Sequence, residues 1–154
     1  MRSLSIVSDS SPLIVLARIG HLHLLEKLFT SVVVPPAVPR EVISAVLPAW
    51  VLERPLMQPV GPRILRASLG PGESEAISLA LEIGVQWIIL DDRPARRLAD
   101  ALGLPVIGTL GVLLASKRRG FLAAVRPCVE ALVDSGFRVA PDLYQRVITD
   151  AGES

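Results

Sequence analysis

Five acidic residues stand where apolar runs stop. Asp9 follows the first apolar stretch in "SIVSDSSPLIVLARIG", and Asp91 and Asp92 follow "QWIIL". Glu41 lies in "PREV", shortly after "VVV", and Glu73 opens "GPGESEAISLALEIG". A carboxylate at the edge of a core costs free energy unless something pairs with it. Each has a local explanation when taken alone. Asp9 suits a helix cap, and Asp91 or Asp92 suits a cap for a helix beginning near Pro94. Glu73 suits the favourable dipole at a helix start, and Glu41 suits a solvated flank. Taken together they describe a different chemistry. Carboxylates gathered at one place repel one another and raise one another's pKa unless a cation shares them. Hard divalent ions such as Mg²⁺ or Mn²⁺ accept oxygen ligands and usually keep waters. An oxygen-only cluster of that kind suits metal-assisted phosphoryl chemistry, in which the ion activates water and offsets phosphate charge.

Helical spacing separates the acids further. In the helix from about 72 to 83 the apolar stripe reads Ala76, Ile77, Ala80 and Leu81. Glu73 lies one turn before it on the same face, so it is expected inward, with Glu75 and Glu82 outward. Glu41 borders the stripe of a helix carrying Val38, Val42, Ala45 and Val46 inward.

The remaining reactive side chains form no comparable set. His21 and His23 share one helix and read as surface or capping residues. "GPGE" lacks the lysine and spacing of a phosphate-cradling loop. Ser10 and Ser11 have no base partner in the sequence. Cys128 is the single cysteine, so no intrachain disulfide and no cysteine metal cluster can form, and it reads as a small buried hydrophobe. A phosphotransfer receiver would need two acids after the first strand and a lysine after a later one, and neither is present.

The elements that must carry these residues alternate. Short apolar strands are expected around Ile6 and Val7, at Val32 to Val34, at "QWIIL" and at "PVIG", with "WVLERPLM" an edge strand or loop. Helices are expected between them, then two more near 125–134 and 141–150, while residues 48 to 62, with four prolines, are the least regular part. Strands alternating with helices predict a parallel sheet covered on both faces, with a site beyond the carboxyl ends of its strands. Asp9 and the Asp91–Asp92 pair are expected at those ends.

With 154 residues, 51% hydrophobic and 20% charged, the chain suits one globular domain over 1–154. Aromatics at 4% give few platforms for stacking bases, which excludes folds that read single strands on aromatic sheets. A formal net charge of +1 predicts no bulk attraction to nucleic acid, so contacts would come from local groups such as Arg93, Arg96, Lys117 and Arg118. Asp9 interrupts the only signal-like run, and no stretch is long and uncharged enough for a membrane span, so a cytoplasmic location is expected.

The segments "SDSSPLIVLARIGHLHLLEKLF", "VVVPPAVPREV", "GPGESEAISLALEIG", "IILDDRPARRLADALGLPVIGTLGVLLASKRRG" and "GFRVAPDLYQRVI" follow one another along nearly the whole chain. In that order the sequence resembles the PIN-domain superfamily, and more narrowly its DUF3368-type prokaryotic members. The resemblance implies a three-layer α/β/α sandwich with a central parallel sheet. It also implies a Mg²⁺- or Mn²⁺-dependent ribonuclease, of the kind that often forms the toxin of a toxin–antitoxin pair. By position it puts the catalytic acids at Asp9, Glu41, Glu73 and Asp92, with Asp9, Glu73 and Asp92 on the metal and Asp91 an alternative to Asp92. Ser11 matches a supporting hydroxyl two residues after the first Asp. Leu90 stands where many relatives carry threonine, and the third acid is Glu rather than Asp.

The expected function is therefore metal-dependent endoribonuclease cleavage, leaving a 5′-phosphate and a 3′-hydroxyl. Arg93, Arg96, Lys117 and Arg118 would steer the RNA backbone. The alternative is a catalytically degenerate module that binds nucleic acid or a small antitoxin without cutting. The aliphatic surplus fits an apolar interface, and a homodimer through the last helices is expected.

Overall fold

A computed structural model of the chain describes residues 4–42 and 46–154. Its elements in order are β1 (Ser5–Ser8), α1 (Ser10–Arg18), α2 (His23–Phe29), β2 (Val32–Val34), α3 (Ala37–Glu41), β3 (Val51–Glu53) and α4 (Val60–Leu65). They continue with α5 (Pro71–Ile83), β4 (Val85–Ile89), α6 (Arg93–Ala101), β5 (Val106–Ile107), α7 (Thr109–Arg118), α8 (Arg126–Asp134) and α9 (Pro141–Asp150).

The strands are short because each apolar run is short, and every pairing is parallel. Their order is β3-β2-β1-β4-β5. The chain builds outward from β1 to β3, then crosses back through α5 to place β4 on the other side of β1. Strand order therefore reverses between β1 and β4, where open α/β sheets form their binding crevices.

Alternation along the strands divides the core in two. Ile6, Val32, Val34 and Ile89 face one layer, packed with Leu13, Leu16, Leu24, Leu25, Val112, Leu113, Val129 and Leu132. Val7, Ile88 and Leu90 face the other, packed with Ala76, Ile77, Leu79, Ala80, Ala95 and Ala99 of α5 and α6. A strand sandwiched in this way is apolar on both faces. The result is the α/β/α sandwich.

Of the two options for "WVLERPLM", the edge strand forms, as β3 at Val51–Glu53. Other local expectations need correction. The proline-rich part also contains α4, whose Pro62 is buried; a proline in the first turn of a helix loses no bond. The helix after β2 ends at Glu41, with Val42 as its cap, and Val46 is 97% exposed rather than inward; Ala45 lies outside the described residues. In α5, Leu81 is exposed and Leu79 takes the buried position. Glu75, expected outward, is only 7% exposed. The cause is that α5 packs against α3 and α4 as well as the sheet, so a single apolar stripe does not describe it.

Candidate active site

Asp9 follows the last residue of β1, which pairs with β4 with Ser8 level with Ile89. The Asp9 amide donates to Ile89 O at 3.2 Å, which draws the ends of the two central strands together. Asp9 occupies the N-cap position of α1, yet its side chain makes no cap bond. One reason is local: Pro12, at the third helical position, has no N–H to give. The carboxylate is nonetheless only 4% exposed. Burial raises its pKa to about 6; the adjoining Ser10 amide lowers it, and Glu41, Asp91 and Asp92 raise it further.

Glu41 arrives at the same place from α3. Its Oε1 accepts from Ser10 Oγ at 2.6 Å. A Cβ built on Gly72 would collide with Glu41 Oε1 and approach Asp9 Oδ1 to 2.8 Å. The two carboxylates thus meet over a bare stretch of α5 backbone. Glu75 holds the arrangement from below: it accepts from the Ala37 amide at 2.9 Å, at the start of α3, and from Arg66 at 3.2 Å. The supporting hydroxyl expected from Ser11 comes instead from Ser10. Residues one position apart at a helix start point about 100° apart, and Ser11 is exposed while Ser10 is buried.

Glu73, one residue beyond Gly72, is half-buried. Burial pushes it up to about 7, with the Asp9 and Asp92 charges, contact with the Asp92 side chain, and Glu41 adding to the rise. Asp92 caps α6, its Oδ2 accepting from the Ala95 amide at 3.1 Å. Asp91 has both oxygens engaged: Oδ1 accepts from the Thr109 amide at 2.8 Å and Oδ2 from Thr109 Oγ1 at 2.5 Å. Burial raises Asp91, against the lowering effect of the Thr109 hydroxyl, the Thr109 amide and Arg96. The carboxyl ends of β1, β2 and β4 and the start of α5 therefore bring Asp9, Glu41, Glu73 and Asp92 together, with Asp91 tied to α7 beside them. Thr109, Ser10, Glu75 and Gly72 were given no part in the site from sequence; the Thr109 hydroxyl donates to Asp91.

The basic residues divide. Arg93 is exposed at the start of α6, and Arg96 Nη1 donates to Leu90 O at 2.9 Å, so both lie at the acidic end. Lys117 and Arg118 do not. They end α7, about 12 Å along the helix from Thr109. Lys117 Nζ donates to Glu153 at 2.8 Å and to Ala151 O at 2.5 Å. Arg118 lines a separate pocket with Phe29 and Trp87. A run of charges in sequence does not say which end of a helix faces the site. Cys128 is buried in the core as expected, with His21 Nε2 lying 3.7 Å from its Sγ. Burial, and then Glu153, pushes the thiol up, so the pair does not make an activated nucleophile.

Among the described residues no three His, Cys, Asp or Glu side chains already close on one point as a full ion cage would. The donor set still fits a hard divalent ion. All donors are carboxylate oxygens, Asp9 and Glu73 are held above their ordinary pKa chiefly by burial and further by neighbouring carboxylates, and among the described residues no basic side chain forms an ion pair with them. Mg²⁺ commonly uses one or two carboxylates and keeps its waters, which a loose cluster accommodates.

The chain belongs to the PIN-domain family: the family model DUF3368, described as a PIN domain, matches residues 5–153. PIN domains have a nuclease-type fold, and their members typically work with Mg²⁺ or Mn²⁺. No curated protein and no solved structure matches the chain. Among the described residues no helix is long and apolar enough to cross a membrane.

Proposed function

We propose that residues 1–154 act as one Mg²⁺- or Mn²⁺-dependent endoribonuclease unit, of the toxin type. The observation that carries this is the meeting of Asp9 and Glu41 over Gly72, with Glu73 and Asp92 alongside and, among the described residues, no basic side chain in an ion pair with them. Asp9 and Asp92 would hold the ion. Asp92 is favoured over Asp91 because one of its oxygens is uncommitted, whereas both oxygens of Asp91 are engaged by Thr109. An ion bound there would supply an activated water and offset charge on the scissile phosphate.

The chain's own residues have distinct tasks. Glu73, held near neutrality, is suited to accept a proton from the attacking water at its Oε atoms. Ser10 fixes the Glu41 carboxylate through Oε1, and Glu75 fixes the helix that carries Glu41. The partners of this reading are RNA, a small protein antitoxin and a second copy of the chain.

The test is cleavage of labelled single-stranded RNA in Mn²⁺ by the wild type and by Asp9→Asn. Cleavage by the wild type and none by the variant is expected. Equal cleavage by both overturns the site. A second reading, RNA or antitoxin binding without cutting, draws on the lack of three acids closed on one point. It predicts Mn²⁺ stabilisation that Asp9→Asn removes, with no cleavage by either protein.

A further inference from the structure

A groove of about 860 Å³ opens beside Asp91 and Asp92 and extends across the starts of α6 and α7 to the segment before α9 and to α9 itself. Its floor is apolar, including Ile107, Leu110 and Leu114, with half-buried Phe137 on one wall. Four guanidinium groups line it, Arg93, Arg96, Arg138 and Arg146; away from the Asp91–Asp92 end its one acid is Asp150. Arg93, Arg138 and Arg146 are exposed, and among the described residues none of them forms an ion pair. Unpaired arginines over an apolar floor call for an occupant that is anionic and also has flat apolar parts.

We infer that this groove is the track of a single RNA strand, with Arg138 and Arg146 holding phosphates next to the scissile one and Phe137 taking an unstacked base. The inference rests on the ribonuclease reading and adds to it the C-terminal segment as the substrate-holding wall. Three features favour a strand. The arginines come from α6, the segment before α9 and α9, which spreads them farther apart than one phosphate requires. The floor and Phe137 offer a surface for a base, which a duplex keeps stacked inside. The groove also leads to the carboxylates, where a cation and the reacting phosphate would meet. An acidic peptide matches the arginines but has no ring for the Phe137 wall and brings further carboxylates against Asp91 and Asp92.

The test is binding of a fluorescein-labelled eight-nucleotide single-stranded RNA by the full chain, followed by anisotropy in EDTA so that cleavage does not intervene. Arg138→Ala with Arg146→Ala is expected to weaken binding about tenfold or more. The salt dependence should become shallower by about 1.4 in log–log slope, as for two lost phosphate contacts on a single strand. Phe137→Ala should weaken binding about fivefold or more and leave the slope alone. Arg18→Ala with Arg63→Ala removes equal charge from exposed sites outside the groove and should bind as the wild type does. Melting temperatures confirm that each variant is folded. Wild-type affinity in the Arg138/Arg146 variant, or an equal loss in the Arg18/Arg63 variant, overturns the track. Competition by poly-glutamate of matched charge as effective as that of RNA also overturns it. Arginine-dependent RNA binding without any Mn²⁺-dependent cleavage overturns the hydrolytic reading and leaves the track standing. Cleavage that depends on Asp9 but not on Arg138 and Arg146 does the reverse.

Discussion

Near the carboxyl end of α7, the Glu153 carboxylate accepts from Lys117 Nζ at 2.8 Å, the Val125 amide at 2.6 Å and the Arg126 amide at 3.0 Å. At the carboxyl ends of the central strands, Asp9, Glu41, Glu73 and Asp92 face one another, with only Ser10 and a helix-capping amide as partners among the described bonds. The same functional group is driven in opposite directions. Glu153 is held low, to about 2, chiefly by Lys117, while burial holds Asp9 near 6 and Glu73 near 7. The fold can satisfy a carboxylate completely where the only need is to tie α7, α8 and the chain end together. At the sheet ends it leaves that to something from outside.

The sharpest way to break this comparison is to neutralise one carboxylate at each place. Asp9→Asn should lower Mn²⁺-dependent RNA cleavage at least about a hundredfold, the upper end of what losing even an outer ligand partner costs. In metal-free buffer the same change should raise the melting temperature, because it removes repulsion. Glu153→Gln should do the opposite, lowering the melting temperature and leaving cleavage per folded molecule unchanged. If both variants shift stability the same way, the contrast fails.

Metal addition comes next in size. Mn²⁺ at a hundred times its dissociation constant should stabilise the wild type by about 2.7 kcal/mol, or roughly 5–10 °C for a chain of this size. Asp9→Asn should show little of that shift, and Glu153→Gln should keep it. Thermal denaturation with and without Mn²⁺ measures both.

The pH dependence separates the two regions without mutation. Asp9 and Glu73 have folded pKa values above their ordinary ones, so the metal-free protein binds protons more tightly than the unfolded chain. Stability from them is full below about 4 and is lost as pH rises through about 6 to 7. For Asp9 the span is at most about 3 kcal/mol. Glu153 is depressed, so its contribution is present above about 4.5 and is lost as pH falls toward 2. Metal-free stability should therefore peak at about pH 4, where the Glu153 contribution is nearly complete and the loss from Asp9 and Glu73 begins, and Mn²⁺ should flatten the alkaline side. The smallest effect expected is that of Ser10→Ala, which removes the Glu41 partner: about 1 kcal/mol of stability, with a fall in cleavage that changes kcat more than KM.

The sheet and its covering were readable from the sequence because the strands are short apolar runs bounded by breakers, and each long helix has a proline, serine or threonine at its first or second position and ends near a glycine. Asp9, Glu41, Glu73 and the Asp91–Asp92 pair were readable because charge at the end of an apolar run is costly. Glu75 was not, because α5 is enclosed by α3 and α4 as well as the sheet, and burial on several sides defeats a one-stripe pattern. Ser10 and Ser11 were exchanged because helix phase at a first turn depends on where the strand releases the chain. The distance of Lys117 and Arg118 from the acids was not readable, because which end of α7 meets the acids, and where α9 docks on it, are tertiary facts.

Gly72 has a consequence for how such a protein could be silenced. Its place in the first turn of α5 makes alanine acceptable to the backbone, and alanine favours a helix. The added methyl would occupy the space now held by Glu41 Oε1 and crowd Asp9, so Glu41 must swing away from Ser10. Gly72→Ala would thus be a plug of one carbon, with every charge retained. Such a decoy would still engage whatever recognises the molecule away from Glu41 while the chemistry beside Asp9 is blocked.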